Sequence, residues 1–292
     1  MSLFIASLNS GSNGNCYYVG NENEAVLIDA GISCRETETR LKRLGLEITK
    51  IKAIFISHEH ADHINGLCVL VRKHNIPVYI TPKTLQKSQL VISSKHVFGF
   101  QAYAPIRIGN LTVTAFPKYH DAADPHSFVI SDSNVCVGVF TDIGSVCSHV
   151  TQNFKSCNAV FLEANYDELM LENGRYPYSL KNRIRGGYGH ISNKQAIELV
   201  SKHRPARMSH LFLSHLSKDN NCPDLALQQF KAIAGETSVF IASRFNESEV
   251  HFISSDEIKK ERIITAPVYN FPLSSKTKKI KVGKNEFQLT LF

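Results

Sequence analysis

The stretch Ser57-His58-Glu59-His60-Ala61-Asp62-His63 brings three imidazoles and the carboxylate of Asp62 within six residues. It follows the apolar run from Ile51 to Ile56, broken by Lys52, and precedes Gly66. Neutral imidazole nitrogen and ionised carboxylate are ligands that divalent zinc, manganese or iron accept. A short buried strand that delivers its C-terminal end into such a cluster presents these side chains to one region of space. His58 and His60 are two apart, so an extended segment points both to one side. Asp62 and His63 then fall on the turn that follows and face a second ion, with Glu59 expected to point outward. The chemistry this favours is hydrolysis, because coordination lowers the pKa of water to about 7 and makes it a nucleophile near neutral pH.

The elements that must position these groups are short strands. Leu3 to Leu8 and Cys16 to Val19 read as strands joined by Asn9-Ser10-Gly11-Ser12-Asn13-Gly14-Asn15. That loop suits either a hairpin turn or a phosphate cradle, because its glycines permit positive φ and close backbone approach; Ser10, Ser12 and Asn15 are its candidate substrate contacts. Ala25 to Ile28 is a buried strand ending at Asp29, which is placed to brace a ligand histidine. Ser33 to Leu44 has the mixed pattern of a surface helix stopped by Gly45. Gly66 to His74 reads as a helix and Val78 to Ile80 as a strand, and Thr81-Pro82 as a helix start. Ile106 to Ile108 and Leu111 to Phe116 flank the hairpin signal Gly109-Asn110. Ser127 to Ile130 pairs with Val135 to Phe140, and Ala159 to Leu162 and Met208 to Ser214 follow. Strand after strand ends in a metal-capable or proton-capable residue: Asp29, His58, His120, Asp142, Glu163, His215. Their recurrence at one structural station implies that one edge of a sheet core carries a site, within the strand and helix alternation of an α/β protein.

A chain of 292 residues buries one large core or two modest ones, and 43% hydrophobic with 20% charged residues is ordinary for a soluble globular protein. No apolar run approaches the roughly 18 to 20 residues that span a bilayer. The start, Met1-Ser2-Leu3-Phe4-Ile5-Ala6, lacks the pattern of a signal peptide, so a cytoplasmic location is expected. The seven cysteines are scattered with no C-x-x-C pair, which speaks against a disulfide framework and a thiolate zinc site. A formal charge of +7 favours a polyanionic partner.

Taken in order, His58-x-His60-x-Asp62-His63, His120, Asp142 and His215 resemble the metallo-β-lactamase fold over about Leu3 to Ala242. The resemblance implies a four-layer αββα sandwich with two divalent ions, zinc or manganese, with iron also suited to these ligands. His58, His60 and His120 would hold one ion, Asp62, His63 and His215 the other, and Asp142 would bridge them. An aspartate rather than a cysteine at position 142 argues against a β-lactam hydrolase and for phosphodiester or thioester hydrolysis. Glu163 and His190, the latter in Gly189-His190-Ile191-Ser192-Asn193, look like the proton-relay pair of the nuclease branches. Asp62, Glu163 and His190 are the catalytic residues this implies. Ser192 and Gln195 form an S-x-x-Q capping box that sets His190 just before a helix.

The Ser10-Gly11-Ser12-x-Gly14-Asn15 loop, the Gly-His-x-Ser-Asn stretch and His215-Leu216-Ser217-Lys218-Asp219-Asn220-Asn221 are similar to the YycJ-like (WalJ) family of bacterial exonucleases. That likeness implies a 5′ to 3′ exonuclease on DNA. Only 47 residues separate Asp142 from His190, too few for the inserted domain of the RNA-processing β-CASP group. A small-molecule thioester or lactone hydrolase of the glyoxalase II type is the alternative on this scaffold, and a metal-binding DNA or clamp adaptor without turnover is a third reading. Lys181, Arg183 and Arg185 alternate before Gly186-Gly187 and suit either a solvated face or a rim that grips the DNA backbone.

The expected domain layout is a hydrolase domain over 1–265 and a basic tail over 266–292. Five lysines (276, 278, 279, 281, 284) lead to the ending Gln288-Leu289-Thr290-Leu291-Phe292. Gln288, Leu289, Leu291 and Phe292 resemble the peptide by which bacterial replication and repair proteins dock on the sliding clamp, held on a basic linker. A final edge strand is the competing reading of Phe287 to Phe292.

Overall fold

Alternation along the first strand divides its side chains between two cores. In β1 (Ser2–Asn9), Leu3 and Ile5 enter one apolar cluster, whereas Ala6 and Leu8 enter another on the opposite face. The same period of two recurs in β2 (Cys16–Gly20), in β3 (Ala25–Ile28) and, after an irregularity at Ile51, in β4 (Ile51–Phe55). With β5 (Val78–Tyr79) and β6 (Val97–Phe98) these strands build the first sheet. The second sheet contains β7 (Ile106–Ile108), β8 (Leu111–Pro117), β9 (His126–Asp132), β10 (Val135–Phe140), β11 (Ala159–Glu163), β12 (His210–Ser214) and β13 (Ser238–Ile241). A last strand, β14 (His251–Ser254), returns to pair antiparallel with β1. The orders are β14-β1-β2-β3-β4-β5-β6 and β13-β12-β11-β10-β9-β8-β7.

This computed structural model describes residues 2–255. The boundary expected at 265/266 and the tail residues Gln288, Leu289, Leu291 and Phe292 lie outside the described residues. No helix among the described residues is long and apolar enough to cross a membrane.

Between the sheets lie Tyr17, Phe55, Phe128, Phe161 and Phe212, each 1% exposed or less. Phe161 sits 5.0 Å from the Tyr17 ring and 4.7 Å from that of Phe212. Burying one such ring contributes about 1.5–3 kcal/mol, so this layer fixes the spacing of the two sheets. Helices α1 (Cys34–Arg43) and α3 (Leu67–His74) cover the first sheet through Leu41, Leu67, Leu70 and Val71. Between them comes the short α2 (Ala61–Ile64), and α4 (Pro82–Ser88) begins at the Thr81 cap. On the second sheet, α5 (Ser148–Phe154), α8 (Asn193–His203) and α9 (Pro223–Lys231) bury Phe154, Leu199, Val200 and Phe230. The remaining helices are α6 (Glu168–Asn173) and α7 (Tyr178–Arg185). The result is the αββα sandwich.

Strand direction explains why the site collects at one edge. β10, β11, β12 and β13 are mutually parallel, as are β3, β4 and β5. β8 and β10 both run antiparallel to β9 and so share a direction. Parallel strands present their C-terminal ends together, which is where open α/β sheets bind ligands. Three exits use left-handed backbone at non-glycine residues: Asp29 (φ 62°), Asp142 (φ 53°) and His215 (φ 55°). Such conformations cost about 1–3 kcal/mol each and cluster at functional sites.

Two local expectations are sharpened here. The turn expected to carry Asp62 and His63 is the short helix α2, with His60 as its extended N-cap residue (φ −62°, ψ 145°). Lys181, Arg183 and Arg185 lie on α7, where a step of two residues turns by about 200°. Lys181 and Arg185 therefore share a face that Arg183 does not, and their alternation in sequence builds no single rim.

Candidate metal centre

Donor atoms of His58, His60 and His120 lie within 4.8 Å of one another, and so do those of Asp62, His63, Asp142 and His215. In the first group, His58 Nε2 is 3.1 Å and His120 Nε2 3.3 Å from His60 Nδ1. In the second, Asp62 Oδ2 is 3.5 Å from His63 Nε2 and 3.4 Å from His215 Nε2. Asp142 faces both groups. Its Oδ1 is 3.8 Å from His120 Nε2 and its Oδ2 3.1 Å from His63 Nε2.

The partners on the far side of each ring assign which nitrogen carries the proton. His120 Nδ1 lies 2.9 Å from the Gly189 carbonyl, which can only accept, so Nδ1 donates and Nε2 keeps its lone pair. His63 Nδ1 donates to Asp29 Oδ2 at 2.7 Å, and His60 Nε2 to the Asp121 carbonyl at 3.2 Å. The Ser57 hydroxyl donates to Asp29 Oδ2 at 2.8 Å and so accepts from His58 Nδ1 at 2.9 Å. His215 Nδ1 donates to Glu163 Oε1 at 3.2 Å. In all five rings the nitrogen facing its cluster is the one left as a ligand, the arrangement that outer hydrogen bonds give metal-binding histidines.

Two further observations fit cations at this place. The lone pairs of His58 Nε2 and His60 Nδ1 oppose each other at 3.1 Å, which repels unless a positive charge lies between them. Asp142 Oδ2 is buried and has no hydrogen-bond partner among the described residues. An orphaned buried carboxylate oxygen is costly unless a cation satisfies it. The His/Asp clusters thus fit a dinuclear metal site.

Electrostatics follow from this packing. Burial pushes His58 well below its ordinary pKa and brings His120 down to about 4, so both rings are neutral near pH 7, the form that a metal ion accepts. Burial also opposes charge on His215, but Asp142, Asp62 and Glu163 outweigh it and push its pKa up to about 10. Burial works against ionising Asp142, and His215 and His63 more than offset it, holding this carboxyl well below its usual range. The protons held on this second group are those that a divalent ion would displace.

Glu163 is fully buried and joins two histidines. Its Oε1 accepts from His190 Nδ1 at 2.7 Å as well as from His215, while Oε2 accepts from Ile143 N at 2.6 Å. His190 is held just ahead of α8, whose Ser192–Gln195 capping box is formed, and its backbone N donates to the Ile184 carbonyl at 2.8 Å. Its side chain is 19% exposed, so part of the ring reaches solvent.

The other expected contacts take different places. Asn15 is fully buried, with Nδ2 3.1 Å from Asp62 Oδ2, so it positions a carboxylate of the cluster. Ser10 is buried and its hydroxyl accepts from His215 N at 2.8 Å. Ser12 is exposed, 3.5 Å from Arg244 Nη2. Arg183 pairs with Asp121 at 2.6 Å, beside His120, whereas Arg185 pairs with Glu172 at 2.7 Å and Lys181 donates to the Glu172 carbonyl. Glu59 Oε1 accepts from Ala123 N at 2.8 Å and stays out of both clusters.

Sequence reasoning missed three supporting groups. Ser57 links Asp29 to His58, Asn165 Nδ2 holds the His215 carbonyl at 2.8 Å, and the buried Lys118 donates to the Thr141 carbonyl at 2.6 Å. Only the position of Ser57, beside a ligand and after a buried strand, was a usable signal. Gly31 is a further support: a Cβ there would lie 1.7 Å from the Asp62 carbonyl, so no larger residue lets α2 approach.

Comparison with known proteins agrees with this geometry. The Beta-lactamase superfamily domain model matches residues 24–215. Exodeoxyribonuclease YycJ of Bacillus anthracis is 35% identical over 254 residues, spanning 86% of this chain and 95% of that protein. Exodeoxyribonuclease WalJ of Streptococcus pneumoniae is 31% identical over 226 residues, spanning 75% and 83%. Among solved structures, the metallo-β-lactamase fold protein YhfI from Bacillus subtilis matches with a TM-score of 0.66 over 86% of this chain and 99% of that one. At 18% identity, that likeness concerns the fold alone.

Proposed function

The chain belongs to the β-lactamase superfamily and, within it, to the family of the exodeoxyribonucleases YycJ and WalJ, and from that premise we propose that it is a two-metal exodeoxyribonuclease releasing nucleotides in the 5′ to 3′ direction. Its relatives do not favour the small-molecule thioester or lactone reading.

His58, His60 and His120 would hold one divalent ion, Asp62, His63 and His215 the other, and Asp142 would serve both. Zinc and manganese suit this set of nitrogen and oxygen donors, as does iron. When bound, such ions supply Lewis acidity that makes water nucleophilic at neutral pH and neutralises phosphoryl oxygens.

The chain's own residues do the rest. Asp29, Ser57 and Asn15 orient the ligands before substrate arrives. Glu163 anchors His190 through Nδ1 and leaves Nε2, the other ring nitrogen, outside that hydrogen bond. His190 then delivers a proton to the departing sugar oxygen, a role typically worth about 10² to 10⁴ in rate.

The observation that carries this reading is the single Glu163 oxygen that contacts both His190 and the metal-facing His215. A lone acid with no link to the ligand shell would carry less. The tail residues Gln288, Leu289, Leu291 and Phe292 would bring the enzyme to a sliding clamp on replicating or repaired DNA.

Duplex and single-stranded DNA labelled at the 5′ or the 3′ end tests the reading. Immediate release of the 5′ label as a mononucleotide, with the 3′ label kept on progressively shorter strands, is the expected result. Internal nicking, or immediate loss of the 3′ label, contradicts the polarity.

A further inference from the structure

Beside the metal centre lies a cavity of about 340 Å³ that the catalytic residues do not use. Leu216, Pro223, Ile241, Ala242 and Phe245 give it apolar walls, and Ser10, Lys218 and Arg244 line it as well. It adjoins the site directly, since Leu216 follows His215 and the Ser10 hydroxyl accepts from His215 N.

Neither cation of this cavity has an ion pair among the described residues. Lys218 is exposed and has no ion pair among the described residues, while the neighbouring acid, Asp219, is tied to the Tyr176 hydroxyl at 2.9 Å. Arg244 contacts Ser12 at 3.5 Å, but its Nη1 is buried with no hydrogen-bond partner among the described residues. A guanidinium nitrogen left in this state marks a place for an acceptor that the protein does not supply. Phe245, although aromatic, is 66% exposed, and the Arg244 guanidinium lies 5.9 Å from its ring centroid.

An exposed ring, apolar walls and two cations without ion pairs next to a hydrolytic centre form a stacking platform of the kind that holds an unpaired base while its phosphate is neutralised. We propose that this cavity takes the base of the terminal nucleotide, stacked on Phe245, with Arg244 and Lys218 on the adjoining phosphate. The inference rests on the exonuclease reading and extends it: the substrate end is single-stranded when cut, and recognition is by the base's face rather than its hydrogen-bonding edge. Any of the four bases is then accepted.

The test compares two short single-stranded DNAs that differ only at the terminal nucleotide, one natural and one abasic. With the metal-loaded full chain, kcat/KM favours the natural end by about tenfold, the size expected of one base–aromatic stack. Phe245→Ala brings that ratio close to one, and Phe245→Tyr restores it. Arg244→Ala lowers kcat/KM on both DNAs and reduces its dependence on salt. A ratio of one in the wild-type chain, or a ratio that Phe245→Ala leaves unchanged, overturns the proposal while leaving the exonuclease reading intact. Failure of the wild-type chain to cut either DNA overturns both.

Discussion

Glu163 Oε1 accepts a hydrogen bond from His190 Nδ1 at 2.7 Å, at the buried end of β11. The same oxygen also meets His215 at 3.2 Å, so one carboxylate contacts both the proposed proton donor and a proposed metal ligand. The two functions should separate by mutation. His190→Ala should retain two ions per chain by elemental analysis and lower kcat by about 10² to 10⁴. Glu163→Ala should lower kcat and metal content together. Equal metal loss in both variants would make His190 a ligand.

Asp29 has no place in either cluster, yet it accepts from Ser57 N and Ser57 Oγ at 2.8 Å and from His63 Nδ1 at 2.7 Å. Asp29→Ala is expected to weaken metal affinity by about 10- to 100-fold in a chelator competition, the usual effect of removing such a partner. Unchanged affinity would mean that His63 is oriented by other contacts.

Much of this site was legible because its signals are local. A buried run followed at once by His58, Asp142, Glu163 or His215 marks a strand end, and parallel pairing brings those ends together. The gaps concern contacts chosen by distant segments. Asn15 reaches Asp62 across 47 positions and Arg244 reaches Ser12 across 232, and nothing near either residue predicts the partner. Lys181, Arg183 and Arg185 left two readings open because alternation has one meaning in a strand and another in α7. The placement of Asp62 on α2 was hidden for a related reason: four residues are too few to display a helical period.

Stability should depend on pH through a histidine outside both donor groups. Burial, with His251 adding to it, pushes the pKa of His210 down to about 4, below its ordinary value near 6.5. The folded state therefore favours the neutral ring. This contribution is complete above about pH 6.5 and is lost as pH falls toward 4, the loss reaching about 2 kcal/mol near pH 5. Denaturant midpoints of the wild-type chain and His210→Phe should diverge over that interval, with the variant falling less. Parallel curves would show that His210 does not titrate in this way.

The clamp-docking role of the tail predicts a clean loss. Deleting Gln288 to Phe292 should abolish binding to a bacterial sliding clamp in a pull-down or calorimetric assay and leave nucleotide release from short DNA unchanged. Equal clamp affinity with and without these residues ends that role.

The most direct measurement strips the full chain of metal, restores manganese or zinc in steps, and follows nucleotide release from DNA at each step alongside bound metal. The account predicts an inactive metal-free chain, activity that rises with the second equivalent, and two ions per chain at saturation. Full activity with one ion per chain, or in the metal-free chain, would contradict the two-metal centre organised around Asp142.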